Sequence, residues 1–233
     1  MSTPRRRVVR GAVTIVWLAV IAALLGLGTW QVQRRAWKLD LIARVDARVH
    51  AAPVAAPATA GKDDAYRRVR VTGDYLSGRD TFVQASTERG PGFWAISPLR
   101  RGDGSIVLIN RGYVPARAAL PPVAGTTTVT GLLRLTELGG GFLRSNVPAT
   151  DRWYSRDVAA IATRRAVSPA LPYFIDADDS DTRPGAPVGG LTVIHFPNSH
   201  LAYAVTWYIL ALMSIAGLIY WIRVERQRHT PAA

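Results

Sequence analysis

The chain is punctuated by two long runs without a charged residue. Residues 11–30, GAVTIVWLAVIAALLGLGTW, form the first, and residues 201–222, LAYAVTWYILALMSIAGLIYWI, the second. At 1.5 Å per residue each makes roughly 30 Å of helix, the thickness of a bilayer core. The pattern after the first run stays helical: Trp30, Arg34, Trp37 and Leu41 share one face, so the first helix is expected to continue through residues 31–50, beyond the bilayer. Residues 51–64, AAPVAAPATAGKDD, read as an Ala/Pro linker.

Between linker and second run the period changes from helical to alternating. The stretches at 66–75, 80–86, 92–99, 105–115, 126–135, 171–177 and 190–197 are rich in Val, Ile, Phe, Tyr and Thr and bounded by Gly, Pro and Asp. Residues 155–165 alone return to helical spacing, through Val158, Ile161 and Ala162. Many short strands with one helix predict an antiparallel sheet or small barrel. The fold class is therefore membrane α+β, two transmembrane helices flanking an extracytoplasmic β domain.

Charge fixes the expected orientation. Arg5, Arg6, Arg7 and Arg10 precede the first run, and Arg223, Arg226 and Arg228 follow the second. Short basic flanks stay in the cytoplasm. The expected layout is a cytoplasmic N-terminus 1–10, spans at 11–30 and 201–222, a domain outside over 31–200, and a cytoplasmic C-terminus 223–233. The first run is too long for a signal-peptide core, and no small-x-small cleavage site follows it.

The whole chain of 233 residues carries a net charge of +13, from 29 Lys and Arg against 16 Asp and Glu, and only Lys38 and Lys62 are lysines. So arginine-heavy a composition points to a GC-rich genome. A charge this large raises nucleic-acid binding as a class, but the cations are scattered and the charge-free runs point to a lipid bilayer, so no nucleic-acid partner is expected. The absence of cysteine excludes disulfides, thiolate metal sites, CxxCH haem attachment and thiol catalysis. Four histidines remain, His50, His195, His200 and His229.

No catalytic set stands out, and the chain is read as no enzyme. Asp176, Asp178, Asp179 and Asp181 crowd together, but lack the glycine and distal glutamate of a calcium loop and read as a solvated turn. The glycines at 139–141 lack a phosphate-binding frame. Neither GxSxG nor HExxH occurs. Arg111 and Tyr113, in INRGYVP, suit either a strand end or a partner-facing surface.

The second run is less uniform than a plain span. At 100° per residue His200, Tyr203, Thr206, Trp207, Leu210, Ser214, Gly217 and Trp221 fall in one stripe, with Leu201, Val205, Ile209, Leu212, Ala216 and Ile219 opposite. The stripe is expected to face the first helix, a cofactor or a partner. An interfacial aromatic belt also accounts for Tyr203 and Trp207. With Asn198 as a helix cap, His200 is then merely a first-turn residue. The residues alone leave both readings open.

Several segments in order resemble one family: LGTWQVQRRAWK (27–38), YRRVRVTGDY (66–75), VLINRGYVP (107–115), VTGLLRLTE (129–137), NVPATDRWYSRDVAAIA (146–162), PYFIDA followed by PGAPVGGLT, and NSHLAYAVTWYILA (198–211). Together they are similar to the Surfeit locus protein 1 family, assembly factors of haem–copper cytochrome c oxidase. The short N-terminus, without transit-peptide character, resembles a bacterial, actinobacterial-type member of the plasma membrane. The resemblance implies an assembly function and, as partners, cytochrome c oxidase subunit 1 and haem a synthase. It also implies haem a as a transient cofactor, its iron held by the histidine at the start of the second span, His200 here. An accessory oxidase subunit without a cofactor is the alternative. A two-span sensor is disfavoured by the short tail after the second run, and a membrane enzyme by the missing acid–base set. One departure from the family pattern is Ile209, where many members carry a smaller residue, and a looser helix contact is expected there.

Haem a needs an axial imidazole, apolar walls and cations for its propionates. The candidate set is His200 for the iron, Trp30 and Trp207 for the walls, Arg34, Arg35 or Lys38 for the carboxylates, and Tyr203 as a further cofactor contact. These residues share one membrane depth.

Overall fold

The structure, a computed structural model, describes residues 3–141, 143–178, 183–192 and 196–227. It divides into two compact units, a helical one of residues 1–43 and 195–233 and a β-rich one of residues 44–194.

Helix α1 runs unbroken from Thr3 to His50, and α3 from His200 to Gln227. Both are long and apolar enough to cross a membrane. Within the helical unit they run antiparallel, and the covered positions of α1 follow a heptad rhythm. Thr14, Trp17, Ile21, Leu24, Gly28, Gln31, Arg35 and Lys38 are covered, and every position between them is exposed. On α3 the most buried positions, Ala204, Ala211 and Leu218, are also seven residues apart. This alternation of four and three residues is the seam of a left-handed helix pair.

Small residues let the backbones approach. Above Gly28 the Tyr208 ring stands 2.8 Å from where a Cβ would be, so a larger residue there would push the ring away. The Tyr208 hydroxyl meets Thr29 Oγ1 at 3.1 Å. At the other end Trp17 Nε1 donates to Ser214 O and Oγ, both at 3.0 Å, and the Trp17 and Trp221 rings lie 6.2 Å apart.

The expected polar stripe overlaps the contact face in part, and the six residues expected opposite it, Leu201, Val205, Ile209, Leu212, Ala216 and Ile219, are all exposed. His200, Trp207, Ser214, Gly217 and Trp221 are covered, but Tyr203, Thr206 and Leu210 are exposed. Ile209 is 51% exposed and off the seam, so the looser contact expected from its size does not arise.

The described residues of the β-rich unit form nine strands. They are β1 (Val54–Ala55), β2 (Arg68–Tyr75), β3 (Thr81–Thr87), β4 (Gly90–Arg101), β5 (Ile106–Val114), β6 (Thr127–Leu135), β7 (Gly140–Gly141), β8 (Arg144–Ser145) and β9 (Ala170–Ala177). The main sheet has the order β1-β2-β6-β9-β5-β4-β3, and β2 also pairs with β4 at Gly73–Arg101, Asp74–Arg100 and Tyr75–Leu99. That second pairing closes β2, β6, β9, β5 and β4 into a small five-stranded barrel. The main sheet is not wholly antiparallel as expected: β5 and β9 of the barrel pair in parallel, and so do β1 and β2. Parallel neighbours need a crossover, which here includes helix α2, Val158–Arg165.

The barrel interior is filled by alternate residues of the closing strands, among them Val69, Val71, Leu99, Ile109, Leu133, Tyr173 and Ile175. Opposite parity supplies a second core. Val83, Ile96, Leu108 and Phe174 pack under Trp153 and the buried Val158 and Ile161 of α2. Because β5 is covered on both sides, all nine of its residues are buried, which explains its nearly continuous apolar run. Arg111 and Tyr113 are buried within it, Tyr113 donating to Pro91 O at 3.0 Å, so both are fold residues.

Helix α2 starts at Asp157, whose side chain accepts from Ala160 N. The Ala/Pro stretch 51–64 is packed rather than free. It contributes β1 and the buried Ala56, and Pro57 O accepts a hydrogen bond from the Tyr173 hydroxyl. Of the strand expected at 190–197, residues 193–195 lie outside the described residues. Residues 190–192 and 196–197 are in no strand.

Candidate functional site

At one end of the helix seam, the first residue of α3 meets α1. His200 Nδ1 lies 2.8 Å from Gln31 Oε1. Its Nε2 has no hydrogen-bond partner among the described residues. Both residues are half-covered seam positions. Burying an amide between helices is costly unless it is hydrogen-bonded, and the pairing gives the Gln31 oxygen a partner.

The other candidate residues separate into two sets. Trp207 lies on the seam, its Nε1 buried without a hydrogen-bond partner among the described residues, and the same is true of Asn198 Oδ1. Lys38 is also on the seam, its Nζ 5.5 Å from the Phe196 ring centroid. Arg35 is half-covered beside it in sequence. In contrast Trp30 and Tyr203 are 54% and 55% exposed, and Arg34 stacks at 4.0 Å on Trp37 of its own helix. The structure thus brings His200 to Gln31, and places Trp30, Arg34 and Tyr203 off the seam. Gln31 was missing from the expected set, and its helical spacing from Arg35 and Lys38 was the available signal.

This end fits a haem in its chemistry. His200 is a neutral-capable imidazole with one nitrogen held and the other unspent, the arrangement usual for metal-ligating histidine. Cations and aromatic surface lie within two turns on α1. Of the other histidines, His50 pairs with Asp46, with Nδ1 to Oδ1 at 3.3 Å, while His195 and His229 lie outside the described residues. Arg228, expected in the C-terminal basic flank, also lies outside them.

A second polar centre lies in the β-rich unit. Asp176, only 3% exposed, does not belong to a solvated turn. It is a β9 residue between β5 and β6 and accepts four hydrogen bonds. They come from Asn110 Nδ2 (2.7 Å), Arg134 (2.8 Å), Arg156 (3.1 Å) and Thr192 Oγ1 (3.1 Å). Arg156 also grips Glu137 through Nε and a terminal nitrogen. Burial pushes the Glu137 carboxyl up, but the hydrogen bond and charge of Arg156 outweigh it and hold the group below its ordinary value of 4.5. The Phe174 ring backs both guanidinium groups, Arg156 at 4.7 Å and Arg134 at 6.0 Å.

The network, Thr192 included, lines a cavity of about 490 Å³ together with Trp94 and Glu88. Of the remaining acidic residues, Asp178 pairs with Arg68 at 2.8 Å, and Asp179 and Asp181 lie outside the described residues. Among the described residues no group of three or more His, Cys, Asp or Glu is arranged to hold a metal ion.

Two long apolar helices packed along a heptad seam, with a small closed β-barrel inserted between them in sequence, define a class of two-helix barrel proteins. Residues 18–212 match the SURF1 family. Surfeit locus protein 1 of Rattus norvegicus is 37% identical over 92% of this chain and 76% of its own length. The Homo sapiens protein of the same name is 36% identical over 84% and 73%. A SURF1-like protein of Monosiga brevicollis is 35% identical over 90% and 86%. The chain belongs to the SURF1 family.

Proposed function

We propose that this protein is an assembly factor for haem–copper cytochrome c oxidase and holds haem a on its way to the catalytic subunit. In this reading both apolar helices cross the plasma membrane of a bacterium, both termini are cytoplasmic and the barrel domain lies outside. Membership of the SURF1 family over both helices and the barrel supports the assembly role. The single observation that carries the cofactor is His200, held at Nδ1 by Gln31 with Nε2 unspent.

When bound, haem a supplies an iron that takes an imidazole nitrogen and two propionates that seek cations. His200 would ligate the iron. Lys38 and Arg35, on the seam, are the cations suited to the carboxylates, and Trp207 supplies apolar wall. Subunit 1 of the oxidase is the receiving partner, and haem a synthase the source.

The test is a visible spectrum of the full chain purified from cells that make haem a, beside His200→Ala. Haem a should co-purify with the wild type and be lost from the variant. A wild type without haem under folding-preserving conditions would sink the cofactor reading. The exposure of Trp30 and Tyr203 favours a second reading, an accessory subunit that docks these aromatics against the oxidase. Co-purification with the oxidase but without haem would select it.

A further inference from the structure

The contact between His200 and Gln31 has a chemical direction. Nδ1 lies 2.8 Å from Oε1, and an amide oxygen only accepts hydrogen bonds. With the amide oxygen turned to Nδ1, as it is here, Nδ1 carries the one hydrogen of a neutral imidazole, whereas the reversed amide, with its NH2 toward Nδ1, would fit the other tautomer. The lone pair is left on Nε2, which has no partner among the described residues.

We propose that Gln31 is a positioning residue that selects this tautomer and so makes Nε2 the nitrogen His200 offers to a metal. The proposal rests on the reading of His200 as the haem a ligand. An imidazole in water prefers the opposite tautomer, with the hydrogen on Nε2, and in that form the outer nitrogen cannot ligate. A glutamine with its oxygen toward Nδ1 corrects the preference, and a leucine would fill the space without doing so. Gln31 is a seam position. Gln31 is half-covered, one turn from Gly28, where the Tyr208 ring lies against the backbone.

A merely structural bond between helices would hold the pair together without regard to which nitrogen bears the hydrogen. Imidazole ¹⁵N NMR of the full chain in micelles separates the two roles. It is recorded at about pH 8, where an ordinary histidine is neutral, with His200→Ala assigning the resonance. Wild type should show the Nδ1–H form, Gln31→Glu should keep it, and Gln31→Leu should revert to Nε2–H.

The second readout is haem a itself, titrated into the same samples. Gln31→Leu should weaken binding about 10- to 100-fold and raise the midpoint potential of the bound iron, whereas Gln31→Glu should retain binding and lower it. A wild type with Nε2–H overturns the proposal. So does a Gln31→Leu variant that binds haem a as tightly as wild type while His200→Ala does not bind. If the tautomer follows Gln31 but no variant or wild type takes haem a, the ligand reading of His200 fails, and the proposed metal-directing role fails with it.

Discussion

Replacing Asp176 by alanine is the most informative single perturbation of the barrel. The side chain is 3% exposed, and the two guanidinium groups it receives are on side chains only 19% and 13% exposed. Without the carboxylate, Arg156 retains Glu137, but Arg134 is left with Glu137 at 3.7 Å and the rings of Tyr66 and Phe174. Asn110 and Thr192 each lose an acceptor. Breaking a buried ion pair from one side costs about 3–5 kcal/mol. Because Glu137 remains as a partial counter-charge, the expected loss is at the lower end, about 3 kcal/mol.

The assay is urea unfolding of the full chain in micelles, read by a short pulse of protease that cleaves only the unfolded barrel. For a domain of this size the urea dependence is about 2 kcal/mol per molar, so the midpoint should fall by about 1.5 M. Asp176→Asn keeps the shape and one acceptor oxygen and should fall between alanine and wild type. A shift for Asp176→Ala below about 0.5 M, or 1 kcal/mol, would mean that the network behaves as a solvent-screened surface cluster. The reasoning from burial would then be wrong.

The same assay reads three further predictions. Glu137 and Asp151 are both held below their ordinary values of 4.5 and 3.8, burial pushing each up and the hydrogen bonds and charge of Arg156 and Arg165 pulling them lower. A depressed carboxyl stabilises the fold above its ordinary value and ceases to as pH falls through its folded value. The urea midpoint should therefore drop below about pH 4.5, and less so in Glu137→Gln. Burial pushes the Tyr173 hydroxyl up to about 12, so its contribution is complete below about pH 10 and lost as pH rises toward 12. Tyr173→Phe should cost about 1 kcal/mol at neutral pH through the lost bond to Pro57 O, and flatten the alkaline decline. Gly112 has φ of +126°, and a Cβ there would stand 2.1 Å from Val188 O. Gly112→Ala should therefore cost about 2 kcal/mol or more and expose the 188 loop to protease before the rest of the barrel.

Most strands of the barrel were legible because their alternation is local. Val69 and Val71 of β2, or Tyr173 and Ile175 of β9, announce an inward face by parity alone. What parity does not carry is pairing between distant strands. The parallel neighbours β5 and β9 are about sixty residues apart in the chain, and nothing in either segment names the other. Asp176 was misread for a related reason. It opens a run of acidic residues that resembles a turn, yet the strand continues through Ala177, and counting by two from Phe174 places Asp176 on the α2-side face. The missed signal was strand parity outranking local charge.

The helices were legible in part. A polar stripe identifies a helix's buried face only when the alternative surroundings are apolar and the polar groups require a protein partner. Near the end of a long apolar helix, Tyr203 and Thr206 have another solution: the Thr206 hydroxyl donates to Ala202 O of its own helix, and Tyr203 is exposed. Thus polarity picked out the right side of α3 but not its limits. Size set those, since Ala204 and Ala211 recur at seven residues and leave room for α1 to come close. His200 satisfies both criteria at once, being polar and in the heptad frame of Ala204 and Ala211, and it is the stripe residue at that end with a partner on the other helix, Gln31. A ligand reading built on the stripe as a whole would have included Tyr203 and Thr206. Restricting it to the seam leaves His200, Gln31 and Trp207, a smaller set whose chemistry is carried by one ring nitrogen.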